Sequence, residues 1–283
     1  MIYLRSFNLL DDVQEHFSYD ERRIHNNTYP LHIFPDKNFK DINFRDITIF
    51  YGGNGSGKST LLNIIASKLD AARKSSIEKG AFFENYVRLC DYELDLHPDE
   101  IKIITSDDVF DYLLDVRSIN SGVNRRKEDL SKEFLNKKFS KFDASIFEYE
   151  EIKAAYEAKH NSMSKYVRAR LVNNNIVEQS NGEAALLFWE REIDENSLYI
   201  LDEPENSLSA ENQMKLKNFI EDSVRFYNCQ FIISTHSPFL LSLKDARIYD
   251  LDSHCDKPKK WTELPNVRLY RIFFKEHEDE FDD

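Results

Sequence analysis

The stretch DITIFYGGNGSGKSTLLNIIASKL, residues 46–69, decides the fold class. Its opening apolar run predicts a strand covered on both faces. Its second half, KSTLLNIIASKL, predicts a helix whose broad apolar face carries Leu61, Leu62, Ile64, Ile65 and Leu69. Between the two, Gly52–Ser59 fit G-x-x-x-x-G-K-[ST] through Gly52, Gly57, Lys58 and Ser59. A loop that cradles phosphate must turn its backbone N–H groups inward and let the anion approach closely, which glycine tolerates best. The helix behind it then offers its N-terminal amides and dipole to the same anion. In such a loop Lys58 reaches the β/γ-phosphates and the Ser59 hydroxyl ligates Mg²⁺. Four of the chain's 7 glycines, Gly52, Gly53, Gly55 and Gly57, lie here, between a predicted strand and a predicted helix. The expected phosphate-binding set is Gly52, Gly53, Asn54, Gly55, Ser56, Gly57, Lys58, Ser59 and Thr60.

Outward from this loop the elements alternate. Strands are expected at about residues 2–8, 101–105, 198–201, 230–234 and 247–251, and a helix at about 210–227. A polar, charge-alternating stretch poor in glycine and proline runs to about residue 179 and predicts further helices. Short apolar strands between helices indicate an α/β fold, a mostly parallel sheet flanked by helices. The chain has 283 residues, room for one large α/β domain with a subdomain. The tail KEHEDEFDD, with six acidic residues, is expected to be a frayed, solvated end.

Composition narrows the function classes. A formal net charge of -13 makes the surface as a whole repel nucleic acid and anionic membranes. No apolar run approaches a membrane span, and the N-terminus lacks the pattern of a signal peptide. Cys90, Cys229 and Cys255 are far apart and show no metal-ligand spacing, as expected of reduced thiols in a cytoplasmic protein. Residues 117–141 invert the charge locally: Arg117, Arg125, Arg126, Lys127, Lys132, Lys137, Lys138 and Lys141 stand against Glu128, Asp129 and Glu133. This is either a solvated helical face or a docking surface for nucleic acid or an acidic partner.

Two downstream segments complete a chemistry. LYILDEPE sets Asp202 and Glu203 at the C-terminal end of an apolar strand, the edge where parallel sheets hold ligands. Asp202 suits Mg²⁺, directly or through water. Glu203 suits the orientation and deprotonation of an attacking water. His236, in FIISTHSPFLL, follows the next apolar strand and can sense a γ-phosphate by hydrogen bonding.

With these residues in place the sequence resembles a family. GGNGSGKST, LYILDEPE, a D-loop-like ENSLS at Glu205–Ser209 and STHS follow the order of the P-loop NTPases known as ABC-type ATPase heads. QSNGEAALLFW supplies a signature, with Ser180, Asn181, Gly182 and Glu183 similar to S-x-G-E. The combination with DEPE-x-x-L and THSP-x-L resembles the RecF/SMC/OLD-like branch, or AAA-family ATPases, more than transporter ATPases. The resemblance implies ATP as ligand, Mg²⁺ as cofactor, ATP hydrolysis, and an ATP-dependent homodimer. In it Ser180, Gly182 and Glu183 complete the partner's site, while Lys58, Glu203 and His236 are catalytic and Ser59 and Asp202 hold the metal.

The implied organisation is an ABC core over 1–105 and 181–255, an inserted helical lobe over 106–180 ending at the signature, and a C-terminal segment over 256–283 with the acidic tail. Two departures stand out. IKIIT runs into Ser106–Asp107–Asp108, where the family has a glutamine, so either Asp107 or Ser106 takes over its Mg²⁺/water contact or the coupling of the lobe differs, and no adenine-stacking aromatic can be placed, Tyr51 and several phenylalanines being available. The expected function is a switch in DNA maintenance or anti-phage defence, acting on DNA or RNA or through a separately encoded effector. The alternatives are the cytoplasmic subunit of an ABC transporter and a nucleotide-gated module with little turnover.

Overall fold

The computed structural model describes residues 1–18, 28–37, 39–77, 79–139, 156–158, 160, 163–170, 181–253 and 257–281. The chain divides into two compact units, one comprising Met1–Phe110 with Ala185–Asp283, the other Asp111–Ala184. In chain order the described elements are β1 (Leu4–Asn8), α1 (Asp12–Ser18), β2 (Asp41–Asn43), β3 (Ile47–Tyr51), α2 (Lys58–Lys68), α3 (Phe83–Leu89), β4 (Asp91–Leu94), β5 (Ile101–Thr105) and α4 (Ser106–Phe139). Then follow α5 (Met163–Arg170), α6 (Asn181–Glu192), β6 (Leu198–Asp202), α7 (Ala210–Phe226), β7 (Gln230–Ser234), α8 (Pro238–Leu241), β8 (Arg247–Asp250) and α9 (Pro265–Glu276).

The larger unit holds a five-stranded parallel sheet in the order β5-β6-β7-β3-β8. Every residue of β3 and of β7 is buried, which is why both read as unbroken apolar runs. Cross-strand partners stack on each face. Phe50 and Tyr249 are register partners with rings 5.8 Å apart, and Tyr199 and Phe231 are register partners at 5.6 Å. The first pair belongs to a core that includes Leu61, Leu62, Ile64 and Ile65 of α2, so the helix that opens the glycine loop covers that face. Helix α7 buries Leu216 and Ile220 and starts from a Ser209 side chain that accepts from Asn212 N.

A second sheet, antiparallel in the order β2-β1-β4, was not foreseen beyond its first strand. A single buried side chain rivets it to the first. Gln230 is fully buried; its Oε1 accepts from Tyr3 N (2.9 Å) and Leu4 N (2.8 Å), and its Nε2 donates to the carbonyls of Leu4 (2.9 Å) and Arg45 (3.0 Å). Tyr249 repeats the device, its hydroxyl donating to Asn43 O (2.9 Å) and accepting from Asn43 N (3.1 Å).

In the smaller unit Phe134 on α4 and Tyr166 on α5 meet at 5.4 Å, and the Tyr166 hydroxyl donates to Glu133 at 2.9 Å. Among the described residues no helix is long and apolar enough to cross a membrane. The tail differs from expectation: instead of fraying at Lys275, the chain stays helical to Glu276 and forms a 3-10 turn at Glu278–Glu280, closed by His277 Nδ1 and Glu280 Oε1 at 2.7 Å. The two last residues, and Cys255, lie outside the described residues.

Substituting Gln230→Leu keeps the volume but strands three buried backbone groups, Tyr3 N, Leu4 N and Leu4 O, and frees the Arg45 carbonyl. Each orphaned group costs about 1–3 kcal/mol, so the variant should lose at least roughly 3 kcal/mol in urea unfolding, with the residues of the glycine loop untouched.

Candidate nucleotide site

The site grows from the carboxyl edge of the parallel sheet. Register pairs Thr105 with Asp202, Asp202 with Ser234, and Ser234 with Phe50, so the segments after β5, β6, β7 and β3 emerge side by side. β3 releases the glycine loop, which turns back through Ser56 N to Gly53 O (3.2 Å) and enters α2 at Gly57. Gly57 has φ 96°, and a Cβ there would come within 2.9 Å of Ile33. Gly52 is equally constrained, since a Cβ would sit 2.6 Å from the Ser56 hydroxyl. No side chain caps α2, and its first turn has no acidic residue. Its leading amides and dipole therefore face the loop without a protein anion, an arrangement suited to phosphate.

Lys58 is 5 % exposed, and its ammonium is held in place by its neighbours. It donates to Gly52 O (2.9 Å) and Gly53 O (3.1 Å) and lies 2.7 Å from His236 Nε2. An ammonium can only donate, so Nε2 accepts and the proton of the neutral ring sits on Nδ1. Glu203 Oε1 approaches both, 3.8 Å from Lys58 and 3.4 Å from His236. The three groups expected to be catalytic thus converge at the head of α2. Glu203 itself has φ 49°, and its amide bonds Ser234 through the carbonyl and the hydroxyl, each at 3.1 Å. That left-handed turn directs the chain out of β6 straight after Asp202.

Asp202 accepts from the Ser234 hydroxyl and is hydrogen-bonded to Ser59. Burial raises its pKa, against the two serine hydroxyls, which lower it. A desolvated carboxylate beside a serine hydroxyl is a fitting pair of oxygens for Mg²⁺, which takes one or two protein ligands and fills its sphere with phosphate and water. Among the described residues no larger group of His, Cys, Asp and Glu could hold a metal.

Several contributors escaped the sequence reading. Glu205 lies in the DEPE run, and its Oε1 accepts from Thr235 Oγ1 (2.7 Å), His236 N (2.7 Å) and Ser237 N (3.1 Å). Burial raises its pKa, with those donors opposing. It therefore clips the histidine turn to the turn after β6. Asp252 accepts from Gly53 N at 2.6 Å, and Lys37 donates to Ser56 O, so the loop is braced from both sides. Burial lowers the Lys37 pKa, with Asp252 nearby opposing. Asp252 and Lys37 lie far from any motif in the sequence.

The remaining expected residues fall as follows. Asn54 and Gly55 are exposed at the loop tip, Ser56 is buried, and Thr60 is half-buried on α2. Tyr51 is 4 % exposed and packs edge-on to His236 at 6.4 Å, so it is not a free face for adenine. Of the segment that stands in place of the glutamine, Ser106 is half-buried and Asp107 exposed in the first turn of α4, while Asp108 accepts from Thr105 N and Oγ1 (2.8 and 2.9 Å) and from Ser75, capping α4 directly after β5. Ser180 lies outside the described residues, while Gly182 and Glu183 are on α6, in the smaller unit.

A family model described as ABC transporter matches residues 39–206, from before the glycine loop to the turn after β6. The chain belongs to the ABC ATPase family. A model described as AAA ATPase domain matches residues 184–241, which hold Asp202, Glu203 and His236. It is thus an ATP-binding enzyme that hydrolyses ATP. None of the curated proteins matches it. Among solved structures, the SMC head domain from Thermotoga maritima shares 15% identity over 88% of this chain and 94% of that one, with TM-score 0.36. The Smc head of Pyrococcus furiosus bound to a domain of ScpA shares 15% over 98% and 100%, with TM-score 0.38. A dimeric ATP-binding cassette in a post-hydrolysis state with ADP and Pi shares 15% over 93% and 100%, with TM-score 0.40. Membership rests on the family model, since these likenesses are too loose to carry it.

The raised pKa of Asp202 has a sign that can be tested. A carboxyl whose folded pKa lies above its unfolded value adds stability at low pH and loses it as pH rises through the folded value. At neutral pH the buried anion is then a cost, so Asp202→Asn should melt roughly 2–4 °C higher than the native ABC ATPase without nucleotide. The difference should shrink as pH falls toward the carboxylate range in a calorimetric series, and the variant should lose Mg²⁺-dependent turnover.

Proposed function

We propose that this ABC ATPase is an ATP-dimerised switch in which Lys58, Glu203 and His236 do the chemistry. The convergence of these three side chains within 2.7–3.8 Å of one another is the observation that carries the reading. Phosphoryl transfer asks the protein for positioning and charge neutralisation. Lys58 and the loop amides from Gly52 to Thr60 hold the β- and γ-phosphates. Mg²⁺, held by Ser59 and Asp202, would neutralise phosphate charge when bound. Glu203 takes the proton of the attacking water, and His236 contacts the γ-phosphate. When the phosphate draws Lys58 and His236 to itself, Glu203 is released from both and becomes available to water.

The switch follows from what one copy lacks. Ser180, Gly182 and Glu183 belong to the smaller unit's sequence, and in this reading they complete the site of a second copy. ATP then holds two copies together until it is hydrolysed.

The switch acts on nucleic acid. Arg125, Arg126, Lys132 and Lys138 are exposed on α4. Part of this charge is already balanced: Glu133 pairs with Lys137 at 2.6 Å, and Glu128 and Asp129 stand at helical spacing from Lys132 and Arg125. A second reading, a transporter subunit, draws on Phe110 and Leu114, which are 51% and 43% exposed one turn apart on α4. Such a pair suits an apolar helix of a membrane partner.

Glu203→Gln should cut turnover about 10²- to 10⁴-fold and run as a dimer with MgATP on size exclusion. A monomer under those conditions would end the switch reading. Binding of DNA or RNA by that dimer should weaken with salt. Reversing Arg125, Arg126 and Lys127 should lower the log–log slope by roughly one for each phosphate those side chains neutralise. Nucleic-acid binding that is absent in every nucleotide state, with capture of a membrane protein through Phe110 and Leu114, favours the transporter reading.

A further inference from the structure

The end of the parallel sheet away from the glycine loop holds a cavity that the ATPase does not use. It has a volume of about 420 Å³, within the range of small-molecule sites. Arg45, just before β3, and Arg247, the first residue of β8, line one side. Lys259 and Lys260 line the other, from a segment that bridges to β8 at Ile248.

Four cations thus meet at one cavity in a chain of net charge -13. Their pairing says what the cavity accepts. Lys259 has a carboxylate partner, Asp250, at 2.7 Å. Arg247 gives one N–H to the Asn43 carbonyl at 3.0 Å, and among the described residues neither Arg45 nor Lys260 meets a carboxylate. Glu263 is the single carboxylate in the lining, and its Oε2 accepts from Lys260 N at 3.3 Å, closing the 3-10 turn at Trp261–Glu263. Three cations gathered without a counter-charge repel one another, and an anion between them removes that cost. Arginine's planar donor fork matches the oxygens of a phosphate. Ala246 and Pro258 add an apolar wall that a bare phosphate ion leaves uncovered.

We propose that this cavity is a second ligand site, for a small phosphate ester. Arg45, Arg247 and Lys260 hold the phosphate, and Ala246 and Pro258 pack against the organic part. A nucleic-acid strand asks for a cationic track that continues past one phosphate. Here Asp46 follows Arg45 and Asp245 precedes Ala246, so the positive charge stops at the cavity.

The glycine loop is in a position to feel this ligand. Lys259 lines the cavity at one end of β8, and its ammonium reaches Asp250 at the other end. Asp250 is 3% exposed, so its charge would be buried unpaired without Lys259. Asp250 Oδ1 accepts from Asp252 N at 3.1 Å, and Asp252 accepts from Gly53 N at 2.6 Å. Three contacts therefore connect the cavity wall to the loop.

Ribose 5-phosphate is a suitable probe, with excess MgADP filling the glycine loop so that the loop cannot take the anion. Equilibrium dialysis of the full chain should find one ester bound per chain, held more tightly than inorganic phosphate. Arg45→Glu with Lys260→Glu should weaken binding at least about 100-fold, and Arg45→Gln alone about 10-fold. Both side chains are exposed and unpaired, so the melting point should not move. The ester should also change the affinity for MgADP by about 5-fold or more in the native chain, and leave it unchanged in the double variant. None of these readings depends on the ATP-driven dimer. A native chain that binds no ester, or binding indifferent to the substitutions, overturns the proposal. So does inorganic phosphate bound as tightly as the ester, or single-stranded DNA that displaces it from the cavity. Ester binding that leaves MgADP affinity unchanged overturns the connection to the glycine loop.

Discussion

Everything at the working end of this ATPase depends on keeping one ammonium buried. Lys58 sits at the head of α2 with almost no access to water, where an isolated cation would be prohibitively costly. The carbonyls of Gly52 and Gly53 and the Nε2 atom of His236 meet its three protons, and Glu203 supplies the opposing charge. These partners come from three different segments leaving the sheet. The lysine thus fixes where the glycine loop, the turn after β6 and the turn after β7 sit relative to one another. In the proposed mechanism a phosphate competes with those partners for the same donor, which couples its binding to the loops that carry them.

The scaffold that permits this is a sheet buried on both faces, and that part was plain in the sequence. ITIFY, LYILD and QFIIS are runs with almost no alternation because neither face meets water, and the strands end at Gly52, at the Asp202–Glu203 pair and at Thr235. The antiparallel sheet was illegible for the opposite reason. β2 has three residues, only one of them buried, and no residue of β4 is fully buried, so neither shows a pattern a periodicity argument can use. What makes them a sheet is long-range: Gln230 reaching the backbone of Tyr3, Leu4 and Arg45, more than 180 residues away. A glutamine at the start of an apolar strand gives no local sign of that role.

The site divides the same way. Lys58, Ser59, Asp202, Glu203 and His236 stood out as candidates because the chemistry expected of them demands fixed spacing from glycines and strand ends. Asp252 and Lys37 could not, because they brace the loop by tertiary contact alone. The Ser106–Asp107–Asp108 segment was ambiguous in sequence, and geometry resolves it in part. Asp108 is committed to capping α4, so the strand passes into the helix without a loop.

Glu205 shows how the same constraint extends outward. Its single Oε1 atom receives the hydroxyl of Thr235 and the amides of His236 and Ser237, so the residues after β7 cannot shift without carrying Glu205. Glu205 lies two residues beyond Glu203, whose carboxylate holds the Asn206 amide at 3.1 Å. Ser207, next along, has φ 68°, a left-handed conformation that side chains adopt at a cost. Burial already works against the ionised form of Glu205, so removing even one of its donors is expensive. The turn that carries His236 and the turn that carries Glu203 are therefore one mechanical part.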